Sequence, residues 1–313
     1  MILKDFLQQI SDDVKAVNAS DFDVQVIETQ VVPATDDKDI TYENFDTRQK
    51  KCKLIETCVL YIDIRKSTEL SLSHYPKTLT KLYSSFAKSM VKSARYYGGH
   101  IRNIIGDRVM VVFDSEKCFT NAVCTAILMN TIAANIINKH FKNNEVKCGI
   151  GIDYGKMLVT KVGTIKQGID NPDYKALVWL GKPANIASKL TDIANKEKSE
   201  KVVSEGYYYP LTDKWAWVDI SHDSFIDNLE SLHSGELLKH KKPYFRAFIK
   251  DISKIMSCPI LMTEMVYQGF CRENPYNISV TNKWWEIQSI SIPEYDGAIY
   301  GGDIYFKAIT EVK

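Results

Sequence analysis

Two aspartates stand where their carboxylates could hold a metal ion. Asp63 closes a run of aliphatic and β-branched residues, residues 54–64, that predicts a central strand. Asp107 follows Gly106 in the short turn between two β-rich runs. Each residue alone is also typical of an ordinary turn or cap. If the strands are neighbours, however, the two carboxylates converge and repel each other unless a cation lies between them, which predicts a divalent metal site.

A second polar pair lies in a predicted helix over residues 184–194. Asn185 and Lys189 are four residues apart, so they share one helix face with Cβ atoms about 5–6 Å apart. Asparagine is a poor helix former, and its place between two apolar residues favours a functional role. Lysine is common on helix faces, so Lys189 alone is also compatible with a solvated residue.

The elements that must position these residues alternate between strands and helices. The periodicity predicts helices over residues 3–17, 75–97, 117–140 and 184–194, and strands over residues 54–64, 100–105, 108–113, 145–153, 157–162 and 176–180. This order predicts an α+β fold, a sheet with helices on one face. The last hundred or so residues have weak periodicity, and a few terminal strands are expected over residues 284–306.

Composition is that of a soluble globular protein, with 313 residues, 45% hydrophobic and 25% charged. Forty Lys and Arg against thirty-nine Asp and Glu give a net charge of +1, so neither nucleic acid nor a membrane is an expected partner. No stretch approaches the roughly 20 apolar residues of a membrane span, and no signal peptide is evident. The seven cysteines contain no C-x-x-C pair. A cytoplasmic location is therefore expected.

Four segments, in order along residues 54–195, resemble the class III nucleotide cyclases, the adenylate and guanylate cyclase superfamily. They are residues 60–68 (LYIDIRKST), the Gly98-Gly99 to Gly106-Asp107 to Phe113 stretch, residues 149–155 (GIGIDYG) with Gly163, and residues 180–190 (LGKPANIASKL). The resemblance implies a ferredoxin-like, palm-type catalytic domain over residues 51–211. Residues 1–50 are then an N-terminal accessory segment, and residues 212–313 a C-terminal extension of unknown role, packed on the catalytic domain.

The resemblance also implies the reaction, in which the ribose 3′-hydroxyl of a nucleoside triphosphate attacks the α-phosphate and pyrophosphate leaves. Two divalent ions, Mn²⁺ or Mg²⁺, would be held by Asp63, Asp107 and the main-chain carbonyl of Ile64. Asn185 would orient the ribose. Lys189 stands where the family has a transition-state arginine, and it keeps the charge without the bidentate fork. Main-chain N–H groups of a loop would bind the β- and γ-phosphates. That loop comprises Ile64, Arg65, Lys66, Ser67 and Thr68.

The residues at the two positions that recognise the base differ from those of the purine cyclases. By the resemblance, Asn103 stands where adenylate cyclases have lysine and guanylate cyclases glutamate, and Val178 stands at the partner position, aspartate or cysteine. The Asn103 amide carries both a donor and an acceptor, so it suits either uracil or cytosine. In lacking purine determinants, the chain resembles stand-alone bacterial members that make cyclic UMP or cyclic CMP as antiviral signals. UTP and CTP remain equal candidates.

The family architecture implies a homodimer with composite sites, in which one subunit supplies the metal ligands and the other the helix with the asparagine. One alternative is an adenylate or guanylate cyclase with atypical base recognition. A second is a catalytically degenerate nucleotide-binding module, motivated by Lys189. A third, a palm-domain polymerase or diguanylate cyclase, is disfavoured because no Gly-Gly-(Asp/Glu)-Glu-Phe sequence is present. The activating signal and the downstream effector are not predicted.

Overall fold

The structure, a computed structural model, describes residues 2–44, 47–141, 146–163, 175–232, 237–242, 245–255 and 257–311. The chain forms two compact units. One unit comprises Met1–Asn195 together with Ser257–Lys313, and the other comprises Lys196–Met256. All of the site residues predicted from the sequence belong to the first unit.

The elements are named in chain order. The described strands are β1 (Asp23–Thr29), β2 (Gln49–Ile64), β3 (Gly99–Ile105), β4 (Arg108–Phe113), β5 (Cys148–Gly163), β6 (Lys175–Leu180), β7 (Glu197–Tyr209), β8 (Lys214–Ile220), β9 (Leu229–Leu232), β10 (Leu237–His240), β11 (Phe245–Ile255), β12 (Ile260–Thr263), β13 (Glu286–Ile287) and β14 (Ile299–Gly302). The described α-helices are α1 (Leu3–Val17), α2 (Ser67–Ser73), α3 (Pro76–Tyr96), α4 (Cys118–Ile132), α5 (Asn138–His140), α6 (Lys182–Ile193), α7 (His222–Asp227), α8 (Glu264–Glu273) and α9 (Ile278–Thr281). A π-helical stretch, Ala133–Ile137, joins α4 to α5, and a 3₁₀-helix covers Lys307–Glu311.

The first unit is built on one large sheet with β2 at its centre. The strand order is β13-β14-β12-β5-β2-β4-β3, with β1 beside β2 and β6 beside β5. β2 runs antiparallel to both β4 and β5, whereas β1 is parallel to β2 and β12 is parallel to β5. The predicted α+β fold with a β3–β4 hairpin is confirmed.

Apolar side chains of β2 alternate between two hydrophobic cores. Leu60 and Ile62 are fully buried with Phe86 of α3. Val59 faces the other way and packs in a cluster with Ala187 of α6. Helices therefore cover both faces, not one face as the sequence order suggested. Fully burying an aliphatic or aromatic side chain contributes about 1.5–3 kcal/mol, so both faces of β2 anchor the strand that ends in the predicted metal ligand.

Two long elements differ from the prediction. β5 is a single strand through Gly155, because its pairing with β2 continues on both sides of that residue. The segment Cys118–His140 is long and apolar enough to cross a membrane by length and composition, which the sequence analysis did not expect. In this fold 56% of that segment's most apolar window is buried, and Met129 lies in the core between α3 and the sheet.

The C-terminal residues complete the large sheet. β13 and β14 lie within the region where terminal strands were expected, whereas β12 was not predicted. β12 is fully buried beside β5, and the Ile150 N–H donates to the Pro259 carbonyl across 2.8 Å. β14 continues the sheet beyond β12. The early strand β1 was also missed. The domain boundaries drawn at residues 51 and 211 stay a prediction.

The second unit contains a three-stranded antiparallel sheet, β11-β7-β8, and the β9–β10 hairpin. Its buried polar centre pairs Glu205 with His240, whose Nε2 lies 3.3 Å from the carboxylate. A row of aromatic rings that includes Trp215, Trp217 and Phe248 runs across the sheet.

Candidate active site

The structure brings Asp63 and Asp107 together at one edge of the sheet. Asp63 is the penultimate residue of β2, and Asp107 lies in the turn between β3 and β4. Because Ile62 of β2 pairs with Val109 of β4, the two carboxyl groups come within hydrogen-bonding reach. Burial and then the hydrogen bond and charge of Asp63 raise the pKa of Asp107, against the opposing effects of a main-chain hydrogen bond at Asp107 and a hydrogen bond from Ser67. The resulting pKa is about 6.

The chemistry of this pair fits a divalent cation. Asp107 Oδ2 is buried, and among the described residues it has no hydrogen-bond partner. Leaving a buried polar atom unpaired costs about 1–3 kcal/mol, more if it is charged. The Ile64 carbonyl follows Asp63 in the chain, and oxygen ligands of this kind suit Mg²⁺ and Mn²⁺. In the described part of the chain no group of three or more His, Cys, Asp or Glu side chains could hold a metal ion, so the remaining ligands would come from substrate or water.

Arg108, which sequence reasoning missed, offsets part of this negative charge. Its Nη2 lies 2.8 Å and its Nε 3.3 Å from Asp63 Oδ2. Its Nη1 donates to Ser188 Oγ across 2.9 Å, and its Nη2 also pairs with Asp192. Two features of the sequence could have indicated this role of Arg108. It directly follows Asp107, and Ser188 and Asp192 lie four residues apart on α6. One guanidinium thus ties β4 to the end of β2 and to α6.

Arg65 is a second cation close to the same carboxylate. Its Nη2 lies 3.6 Å from Asp63 Oδ2, and its Nη1 donates to the Asp192 carbonyl across 3.1 Å. Its main-chain N–H donates to the Lys147 carbonyl across 2.7 Å, so this N–H is already bonded within the chain. Lys66 is left-handed with φ 55°, and Ser67 and Thr68 begin α2. Phosphate binding by this loop stays a prediction.

Two glycines allow α6 to approach the edge of the sheet that carries Asp63 and Asp107. A Cβ atom on Gly149 would lie 2.5 Å from the Ala194 carbonyl oxygen, and one on Gly151 would overlap the Ala187 carbonyl oxygen. The helix can therefore pack directly on the main chain of β5 only because both positions lack side chains. Thr191 Oγ1 further joins the helix to β2 by donating to the Tyr61 carbonyl across 3.2 Å.

Asn185 and Lys189 lie on α6, as predicted, and their surroundings differ. Asn185 is exposed. Lys189 is half-buried, and its Nζ lies 3.1 Å from Glu294 Oε2 and 3.3 Å from the Pro293 carbonyl oxygen. Within the described residues no hydrogen bond or ion pair joins either side chain to Asp63 or Asp107. A single chain thus presents two separate groups of the predicted residues.

The two predicted base-recognition positions lie on β3 and β6. Asn103 is exposed and follows a β-bulge, whereas Val178 is half-buried and pairs with Thr160 of β5. Arg102, which precedes Asn103, and Trp179, which follows Val178, are in contact. The Arg102 guanidinium carbon lies 5.7 Å from the centroid of the Trp179 ring. The strands are not adjacent in the sheet, yet these side chains bring the two segments together.

The family profile described as "Adenylate and Guanylate cyclase catalytic domain" matches residues 50–215. The match spans Asp63, Asp107, Asn185 and Lys189. The chain belongs to this family. The predicted resemblance to the class III cyclases and the predicted enzyme class, a nucleotide cyclase, are both confirmed. Class III cyclases in general depend on divalent metal ions, bind nucleoside triphosphates and act as dimers.

The chain is also similar to individual cyclases. The chain is 30% identical over 189 residues to a protein of Gulbenkiania mobilis named "Uridylate cyclase", covering 56% of this chain and 67% of that protein. It is 29% identical over 182 residues to a "Cytidylate cyclase" of Staphylococcus aureus, covering 54% of this chain and 41% of that protein. The crystal structure of an adenylyl cyclase from P. aeruginosa is 17% identical with a TM-score of 0.47, over 80% of this chain and 94% of that one.

The raised pKa of Asp107 predicts a pH-dependent stability in the absence of divalent ions. A carboxyl with a raised folded-state pKa stabilises the fold fully below its usual value of 3.8, and this stabilisation is lost as pH rises through about 6. In chelator, we expect the melting temperature of Asp107→Asn to rise relative to that of the unsubstituted protein across this interval.

Thermal melts at pH 4 to 8 measure this difference. Burial also raises the pKa of Asp153 to about 6, but Asp153 is present in both proteins and cancels in the comparison. A difference in melting temperature that is the same at every pH would contradict the assignment.

Proposed function

We propose that this cyclase converts UTP or CTP to the 3′,5′-cyclic monophosphate and pyrophosphate. The observation that carries the proposal is the half-buried carboxylate pair, with a buried Asp107 oxygen that has no partner among the described residues, in a chain whose positions 103 and 178 lack the purine-reading residues. The similarity to proteins named uridylate and cytidylate cyclase supports it.

The carboxylates at positions 63 and 107, with the Ile64 carbonyl, would hold two Mn²⁺ or Mg²⁺ ions. Bound there, the ions would lower the pKa of the ribose 3′-hydroxyl and offset phosphate charge. The O3′ atom forms a bond to the α-phosphorus and loses its proton, while the bond from that phosphorus to the bridging oxygen breaks and pyrophosphate leaves. Arg65 and Arg108 keep Asp63 in place for this step.

The base pocket favours a pyrimidine on chemical grounds. A lysine and an aspartate read adenine through one donor and one acceptor, and Val178 has no side-chain hydrogen-bonding group to replace the aspartate. Asn103 retains an amide that is exposed and able both to donate and to accept. These two positions favour the pyrimidines as a class and do not distinguish UTP from CTP.

The active sites would be shared between two copies of the chain. Asn185 is exposed and Lys189 is only half-buried, so both can face a partner, whereas Asp63 and Asp107 are held together within one chain. A closed two-fold dimer then contains two equivalent composite sites.

The biological role that we propose is a cytoplasmic second-messenger synthase in antiviral defence. This role depends on the resemblance to stand-alone bacterial pyrimidine cyclases. A gene that protects no host against any phage, while the purified protein is active, would contradict this role.

Product analysis tests the proposed reaction. The purified protein is incubated separately with ATP, GTP, CTP and UTP in Mn²⁺, and products are identified by chromatography and mass. We expect cyclic UMP or cyclic CMP as the dominant product, and no product from Asp63→Asn, which keeps the side-chain size but removes a metal ligand. Dominant cyclic AMP or cyclic GMP would contradict the base assignment. No product from any nucleotide would instead favour a nucleotide-binding module.

Complementation tests the composite sites. Asp63→Ala and Asn185→Ala chains should each be inactive, because each homodimer lacks one half of both sites. When the two are mixed and allowed to exchange subunits, each heterodimer regains one intact site, so the mixture should recover about a quarter of the wild-type rate if pairing is random. As a control, a mixture of Asp63→Ala with Asp107→Ala should stay inactive. Failure of the first mixture to recover activity, with subunit exchange verified, would contradict shared sites.

A further inference from the structure

Arg102 occupies an irregular position in β3. The pairing of β3 with β4 shifts register between Ile101 and Asn103, so Arg102 is the extra residue of a bulge. Bulges re-aim side chains and are frequent beside active sites. The Arg102 guanidinium is directed over the ring of Trp179 on β6, with 5.7 Å between the guanidinium carbon and the ring centroid.

Both members of this pair carry unsatisfied donors. Arg102 Nε and Trp179 Nε1 are buried and, in the part of the chain that the structure describes, neither has a hydrogen-bond partner. Arg102 Nη1 donates to the Ile101 carbonyl of its own strand, 3.1 Å away. Burial lowers the pKa of Arg102, and the charge of Asp114 partly offsets this. Because buried polar groups are nearly always bonded, two neighbouring unsatisfied donors indicate an acceptor that is supplied on binding.

The pair lies next in the chain to both predicted base-recognition positions. Arg102 precedes Asn103 in the chain, and Trp179 follows Val178. Arg102 also borders a cavity of about 570 Å³, together with Arg95, His100 and Asp114. The His100 ring contacts Asp114 at 3.2 Å, and the Val32 N–H donates to the same carboxylate across 2.7 Å. The guanidinium of Arg102 therefore has space beside it. The nearby Asp114 carboxylate is already bonded to His100 and to the Val32 N–H.

We propose that Arg102 selects uracil by donating a hydrogen bond to its C4 carbonyl oxygen, and that Trp179 positions the guanidinium. This inference rests on the proposed pyrimidine cyclase function and narrows it to UTP. Uracil presents a carbonyl oxygen at C4, where cytosine presents an amino group. A guanidinium has only donors, so it favours the carbonyl and opposes the amino group. Guanine also carries a carbonyl acceptor, and GTP therefore belongs among the competitors in the test.

The test is the selectivity of cyclisation, kcat/KM for UTP divided by kcat/KM for CTP. We expect Arg102→Gln to lower this ratio at least about tenfold, because the amide can donate to uracil and accept from cytosine equally well. Arg102→Lys, which keeps charge and a donor, should retain an intermediate ratio and serves if the glutamine variant misfolds. Arg95→Gln removes another cation at the same cavity and should leave the ratio unchanged.

Trp179 is tested as a positioning residue. Trp179→Phe keeps an aromatic ring under the guanidinium and should retain most of the selectivity, whereas Trp179→Leu should lower the ratio about as much as Arg102→Gln. A merely structural role would lower the rates for UTP and CTP equally and leave their ratio unchanged. Thermal melts establish that each variant is folded.

Calorimetry with 3′-deoxy-UTP and 3′-deoxy-CTP, which cannot cyclise, measures base selectivity apart from activity. Tighter binding of the uracil compound that disappears in Arg102→Gln supports the proposal. A protein that makes cyclic UMP with a ratio unaffected by Arg102→Gln, or that prefers CTP, overturns this inference and leaves the pyrimidine cyclase intact. A protein that neither binds nor cyclises either pyrimidine nucleotide, or prefers GTP, contradicts the proposed function itself.

Discussion

The repulsion between Asp63 and Asp107 is the constraint on which the rest of the site depends. Two carboxyl groups within hydrogen-bonding reach in a half-buried setting cannot both be ionised without compensation. Burial, and then the hydrogen bond and charge of Asp63, raise the pKa of Asp107. Arg108 and Arg65 compensate Asp63 alone. Asp107 Oδ2 has no hydrogen-bond partner among the described residues, which supports the proposal that the pair binds a cation.

The surrounding fold fixes this unfavourable arrangement by burying the elements that carry it. β2 is covered on both faces, and β12 from the C-terminal region adds a buried strand beside β5. Gly149 and Gly151 let α6 approach closely, so that Ser188 and Asp192 reach Arg108. The same helix carries Asn185 and Lys189. The predicted metal ligands and the predicted substrate-positioning residues are therefore linked through one helix, although in the proposed dimer they serve different active sites.

Sequence reasoning succeeded where local pattern determines the structure. The strand before Asp63, the hairpin turn at Asp107 and the helix with Asn185 follow from periodicity and turn chemistry, and the structure contains all three. Contacts between residues distant in the chain left no such pattern. Arg108 meets Asp192 across 84 positions, and Lys189 meets Glu294 across 105. β12, only four residues long, gains its place from burial beside β5, which a short apolar run does not specify.

The most direct measurement of the central claim is a Mn²⁺ titration followed by electron paramagnetic resonance, in the presence of 3′-deoxy-UTP so that no turnover occurs. We expect two bound ions per catalytic site in the unsubstituted protein, and loss of this binding in both Asp63→Asn and Asp107→Asn. Glu294→Gln, which removes an exposed carboxylate outside the pair, should bind Mn²⁺ normally. Unchanged Mn²⁺ binding in the two aspartate variants would contradict the account.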